Sequence, residues 1–111
     1  MSRTGWKNFE RVVAAKLGGK RYPANTGGGV DVAAPGIIVQ CKERKVLPFK
    51  QLEELVLAIE TEAQNHPEPV IGLVVARRSA GSGKHTIPLV VLSLEEWCQL
   101  DVKLKQKGDS A

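Results

Sequence analysis

The sequence predicts an α/β fold in which helices flank a mixed β-sheet, and three observations lead there. Apolar residues recur at helical steps in three separate stretches, short extended runs lie between them, and glycine or proline punctuates nearly every junction. The resulting order is α-β-β-β-α-β-β-α.

Trp6, Phe9, Val13 and Leu17 recur at three- and four-residue steps, which predicts a helix over 4–17 that Gly18-Gly19 ends. Glu10 falls on the same face, so a carboxylate is expected beside the core. An unpaired charge there costs several kcal/mol, so it requires a partner or a special role. A short strand is expected over 20–25, followed by the flexible Thr26-Gly27-Gly28-Gly29. Val30 to Ala33 and Ile37 to Lys42 read as two strands around Pro35-Gly36, which suits the centre of a type II turn. A tight turn sets Ala34 opposite Ile37, Asp31 opposite Gln40 and Lys42 opposite Gly29.

Leu47-Pro48 opens a second helix, with Phe49, Leu52, Val56, Ile59 and Ala63 in period until His66-Pro67-Glu68-Pro69 stops it. Val70 to Ala76 and Ile87 to Leu92 read as strands. Ser93-Leu94-Glu95-Glu96 has the form of a capping box and opens a last helix through Trp97 and Leu100. One domain over 1–105 with a frayed tail over 106–111 is the expected organisation of 111 residues.

Composition narrows the function. No apolar run approaches membrane-spanning length and no secretory pattern opens the chain, so a cytoplasmic protein of a bacterial or phage-infected cell is expected, without membrane contact. Cys41 and Cys98 match no zinc spacing and read as two reduced, mostly buried thiols. Residues 1–50 hold ten Lys and Arg side chains against three acids, whereas the remainder holds six against nine. That asymmetry suits a polyphosphate partner on the N-terminal half, with a solvated basic face as the plain alternative. Ala80-Gly81-Ser82-Gly83-Lys84-His85 lacks the first glycine and the hydroxyl of a phosphate loop and precedes a strand, so no nucleotide cofactor is expected.

The candidate chemistry lies in the hairpin. Alternation puts Gln40 and Lys42 on one face of their strand and Val39 and Cys41 on the other. With Asp31 opposite Gln40, two oxygens could meet one hard cation such as Mg2+, and Lys42 would stand beside it. A solvated sheet face is the ordinary origin of such spacing taken alone.

Phe9-Glu10, Gly29-Val30-Asp31 and Val39-Gln40-Cys41-Lys42, taken together and in this order, resemble the PD-(D/E)XK nuclease superfamily, and within it the Holliday junction resolvases and Mrr-like endonucleases. The resemblance spans residues 3 to about 95. It implies a restriction-endonuclease-like core and a homodimer cutting four-way or branched DNA. It also implies Mg2+, with Mn2+ able to substitute, held by Asp31, Gln40, Glu10 and the Cys41 main-chain carbonyl, and Lys42 as the catalytic lysine. Arg3, Lys7, Lys20, Arg21, Arg44, Lys45 and Lys84 are the expected contacts to the DNA backbone. Two departures from the family pattern stand out: Val30 replaces the proline before the acid, and Gln40 replaces the commoner glutamate, as it does in Mrr-like enzymes. An Mrr-like activity on duplex DNA and a non-catalytic DNA-binding protein are the alternatives.

Overall fold

The computed structural model describes residues 2–22, 29–79 and 86–100, with side chains described from residue 8 onward. Helix α1 (Ser2–Leu17) leads into β1 (Lys20–Arg21), β2 (Val32–Ala34) and β3 (Ile37–Arg44). Helix α2 (Phe49–Gln64) then crosses to β4 (Ile71–Arg78) and β5 (Leu89–Val91), and residues 94–100 form a final helix, α3. Five strands make one sheet in the order β1-β2-β3-β4-β5, parallel between β3 and β4 and antiparallel elsewhere. The α/β class and the mixed sheet flanked by helices are as the sequence predicts. Residues 101–111, including the expected tail, lie outside the described residues, as does the glycine-rich segment 80–85.

The sheet is covered on both sides. On one side Phe9, Val13 and Ala14 of α1 pack against Val32, Val39, Leu73 and Val75; on the other, Val56 and Ile59 of α2 pack against Ile38, Val74 and Ala76. Phe9, Ile38 and Ile59 are fully buried, and burial of such a side chain is worth about 1.5–3 kcal/mol each. Two layers of helix explain why β4 is a nearly continuous apolar run, since a strand covered on both faces has no polar side to alternate with.

Local signals in the sequence fall close to the observed boundaries. The Pro35-Gly36 turn holds Gly36 at a φ of 81°, the left-handed conformation that type II turns place at that position. The Glu96 N–H donates to Ser93 Oγ at 3.2 Å, half of the expected capping box. Helix α2 starts at Phe49, with Pro48 at its N-cap, and Phe49 itself is exposed rather than part of the apolar stripe. Trp97 is likewise half exposed and not a core residue.

One contact fixes the distance between layers. A side chain at Gly72 of β4 would collide with the Ile59 main-chain carbonyl of α2, so glycine lets the α2 backbone rest directly on the strand.

Candidate functional site

The expected flat pairing of Asp31 with Gln40 is corrected by a bulge. The ladder between β2 and β3 runs from Ala34 opposite Ile37 to Val32 opposite Val39, as the turn dictates. One residue earlier, the Asp31 N–H also reaches the Val39 carbonyl, at 2.8 Å. Two residues therefore oppose one, and the strand preceding Val32 is shifted by a step. The Asp31 carbonyl in turn accepts from the Tyr22 N–H at 2.8 Å, which ties the bulge to the segment leaving β1.

This shift re-aims the Asp31 side chain. Its Oδ2 accepts a hydrogen bond from the Cys41 N–H at 2.8 Å, filling the ladder position that a main-chain carbonyl would otherwise occupy. The N–H and C=O of one strand residue point the same way in the plane of the sheet, so the Cys41 carbonyl is directed toward the same edge. The Asp31 carboxyl is held above the ordinary carboxylate range. Burial is the main cause and the neighbouring Glu10 charge adds to it, whereas the Cys41 N–H, Lys42 and Arg21 pull the other way.

Glu10 is buried among Phe9, Val13 and Ala14 on α1, as its place in the helical period predicts. Its Oε1 accepts from Arg21 Nε at 3.0 Å. Arg21 is thus the partner that a buried acid requires, a role beside the one expected for it at the DNA backbone, and its side chain keeps 29% exposure. Cys41, half buried on the same side, has its thiol pushed up to about 12 by burial and by the Asp31 and Glu10 charges.

Gln40 and Lys42 share a strand face, as alternation predicts, but it is the face toward α2, the side to which Ile38 belongs. The same bulge corrects the expectation for Gly29. The Gln40 amide, rather than Lys42, lies beneath it, with Nε2 3.4 Å from where a Gly29 side chain would begin. The four predicted residues therefore do not line a single sheet surface. Glu10 stands on the α1 side, Gln40 and Lys42 belong to the α2 side, and the Asp31 carboxylate sits between them where β2 leaves β3. Glu10 and Lys42 both act electrostatically on Asp31.

The donor set suits a hard cation. Among the described residues no three His, Cys, Asp or Glu side chains gather round a common point. A metal at this edge would instead draw on oxygens of Asp31, Glu10 and the Cys41 carbonyl, the oxygen chemistry magnesium prefers, with the Gln40 amide left beneath Gly29. A carboxylate such as Asp31, whose ionisation is opposed by burial and by the neighbouring Glu10 charge, is what such a cation relieves.

Lys20, Arg44 and Lys45, expected at the DNA backbone, are exposed, whereas Lys84 and the side chains of Arg3 and Lys7 lie outside the described residues. Sequence reasoning missed the pairing of Arg77 with Glu43, whose Nε and Oε2 are 2.8 Å apart, and the stacking of Arg77 over Phe9 at 4.3 Å from the ring centroid. Glu43 and Arg77 are register partners on parallel strands 34 residues apart, a relation no local pattern encodes.

Comparison with family models, curated proteins and solved structures finds no match to this chain.

Proposed function

We propose that this chain is a metal-dependent endodeoxyribonuclease with a restriction-endonuclease-like core that hydrolyses phosphodiester bonds in branched DNA, and that it works as a homodimer. The observation that carries the reading is the Asp31 carboxylate, fixed by the Cys41 N–H at the point where β2 leaves β3, with Glu10 and Lys42 acting on it. A magnesium ion bound there would supply Lewis acidity and lower the pKa of a coordinated water. Asp31 is pre-set as its ligand, because the hydrogen bond to Oδ2 fixes the carboxylate's orientation. Glu10 adds the second negative charge, and Arg21 holds Glu10 in place. Lys42 contributes an ammonium that neutralises charge building up on the phosphate. A homodimer fits the substrate, since symmetric cutting of a four-way junction needs two equivalent sites.

A second reading, a DNA-binding protein without catalysis, is favoured by one observation. Gln40 is uncharged, and its amide lies beneath Gly29. Incubating a labelled four-way junction and its linear duplex with magnesium, manganese or EDTA separates these readings. Paired metal-dependent cuts confined to the junction support the proposal. Comparable cutting of both substrates supports an Mrr-like activity on duplex DNA, and binding without cutting in either metal supports the second reading.

A further inference from the structure

An open cavity of about 600 Å³ lies on the α2 side of the sheet, past Lys42, at the carboxyl ends of the parallel strands β3 and β4. Crevices at such strand ends are the usual ligand position in α/β sheets, and the volume lies within the range of small-ligand sites. Arg44 and Arg78 stand on its rim, and Leu47, Ile87 and Leu89 line its apolar part. Arg44 and Arg78 are direct register partners, about 4.8 Å apart at the backbone, and both are exposed. Like charges placed opposite each other are unfavourable unless an anion lies between them. One step earlier along the same strands, Glu43 neutralises Arg77; at Arg44 and Arg78 no acid does so among the described residues. The apolar part is also unusual, since Ile87 and Leu89 are 77% and 60% exposed on the strand side of a basic rim.

A cation pair beside bare apolar surface fits a ligand with a phosphate at one end and a flat, weakly polar body at the other. Among the described residues the uncharged polar side chain of the lining, Thr86, donates its hydroxyl to the Arg78 carbonyl at 2.6 Å; the other polar side chains there are cations suited to phosphate, and Ile87 and Leu89 offer an apolar surface that any base can cover. Lys42 and Arg44 are two residues apart on one strand face, so a strand bound at Lys42 runs on into the cavity. We propose that this cavity holds one unpaired nucleotide of a DNA strand without regard to base identity, its phosphate between Arg44 and Arg78 and its base on Ile87 and Leu89. The assignment rests on the nuclease reading for the direction of the strand and extends it by naming the feature of branched DNA that is recognised.

Binding in EDTA tests it without cleavage. The probes are a duplex with one bulged nucleotide and the same duplex with an abasic bulge, which keeps every phosphate and removes only the base. The protein is expected to bind the first about tenfold more tightly. Ile87→Ser should erase that difference, and Arg78→Ala should weaken both duplexes alike. Both positions are exposed, so neither variant depends on repacking a core. Equal affinity of the unaltered protein for the two duplexes overturns the proposal, as does failure to bind either. Displacement of the bulged duplex by free deoxyadenosine monophosphate at similar concentration also overturns it, because the site would then serve a free nucleotide. Base-dependent binding together with no cutting of a junction in magnesium supports the cavity assignment and refutes the nuclease reading, so the two failures are distinguishable.

Discussion

Asp31 Oδ2 and the Cys41 N–H lie 2.8 Å apart across the point where β2 leaves β3, so a carboxylate replaces a main-chain carbonyl in the sheet. That substitution is made possible by the bulge at Asp31 and Val32, and the electrostatics of the site follow from it.

Stability should depend on pH through Asp31 in a defined direction. Its folded pKa is raised above the usual 3.8, mainly by burial, so the folded state binds the proton more tightly than the unfolded chain does. The associated stabilisation is fully present below about pH 4 and is lost as pH rises through the folded value. At pH 7 the ionised carboxylate is a burden on the fold. Asp31→Asn keeps an acceptor for the Cys41 N–H and removes the charge, so thermal denaturation should give a higher Tm than the unaltered protein at pH 7 and a smaller gain at pH 4. A lower Tm at pH 7 would show that the charge is already compensated.

Lys42 and Glu10 should move the Asp31 titration in opposite directions. Lys42→Ala removes a charge that lowers it, and Glu10→Gln removes one that raises it. Carboxyl NMR titration of both variants checks the signs. Glu10→Gln also removes the ionic pairing with Arg21 and should cost about 1.5–3 kcal/mol in urea denaturation, the range for a hydrogen bond to a charged group.

The two thiols should differ in reactivity. With the Cys41 thiol pushed to about 12, almost none is thiolate at pH 8, whereas Cys98 is exposed. Brief iodoacetamide treatment followed by peptide mass analysis should find the adduct on Cys98. Equal labelling of Cys41 would mean that the site opens readily or that its negative neighbours are elsewhere.

Gly72→Ala should destabilise the fold without touching the site. The added methyl meets the Ile59 carbonyl, and forcing α2 from the sheet costs about 1–3 kcal/mol, the range for overpacking. Denaturant titration measures the loss. An unchanged midpoint would show that the layers have slack.

Much of the fold was legible because its signals are local. The period of Phe9 and Val13, the turn at Pro35-Gly36 and the cap at Ser93 each name an element without reference to distant residues, and Glu10 announced itself as an acid on an apolar face. The site was legible in membership but not in arrangement. Counting back from the turn gives the register correctly as far as Val32, but the bulge at Asp31 depends on the Tyr22 N–H and the Val39 carbonyl, which only the folded sheet brings together. A one-residue step reverses facing, and so Gln40, rather than Lys42, came to lie under Gly29. The pairing of Arg21 with Glu10 was hidden for a similar reason. The arginine's charge suggests phosphate, and its neighbour across α1 and β1 is an acid.

Single-turnover cleavage of a labelled four-way junction by the unaltered protein and by Asp31→Asn, with binding measured in parallel in EDTA, tests the central claim most directly. The expected result is paired magnesium-dependent cuts by the unaltered protein, and a rate at least about a hundredfold lower for Asp31→Asn, with junction affinity within about twofold. Cleavage by Asp31→Asn at the unaltered rate would contradict the account.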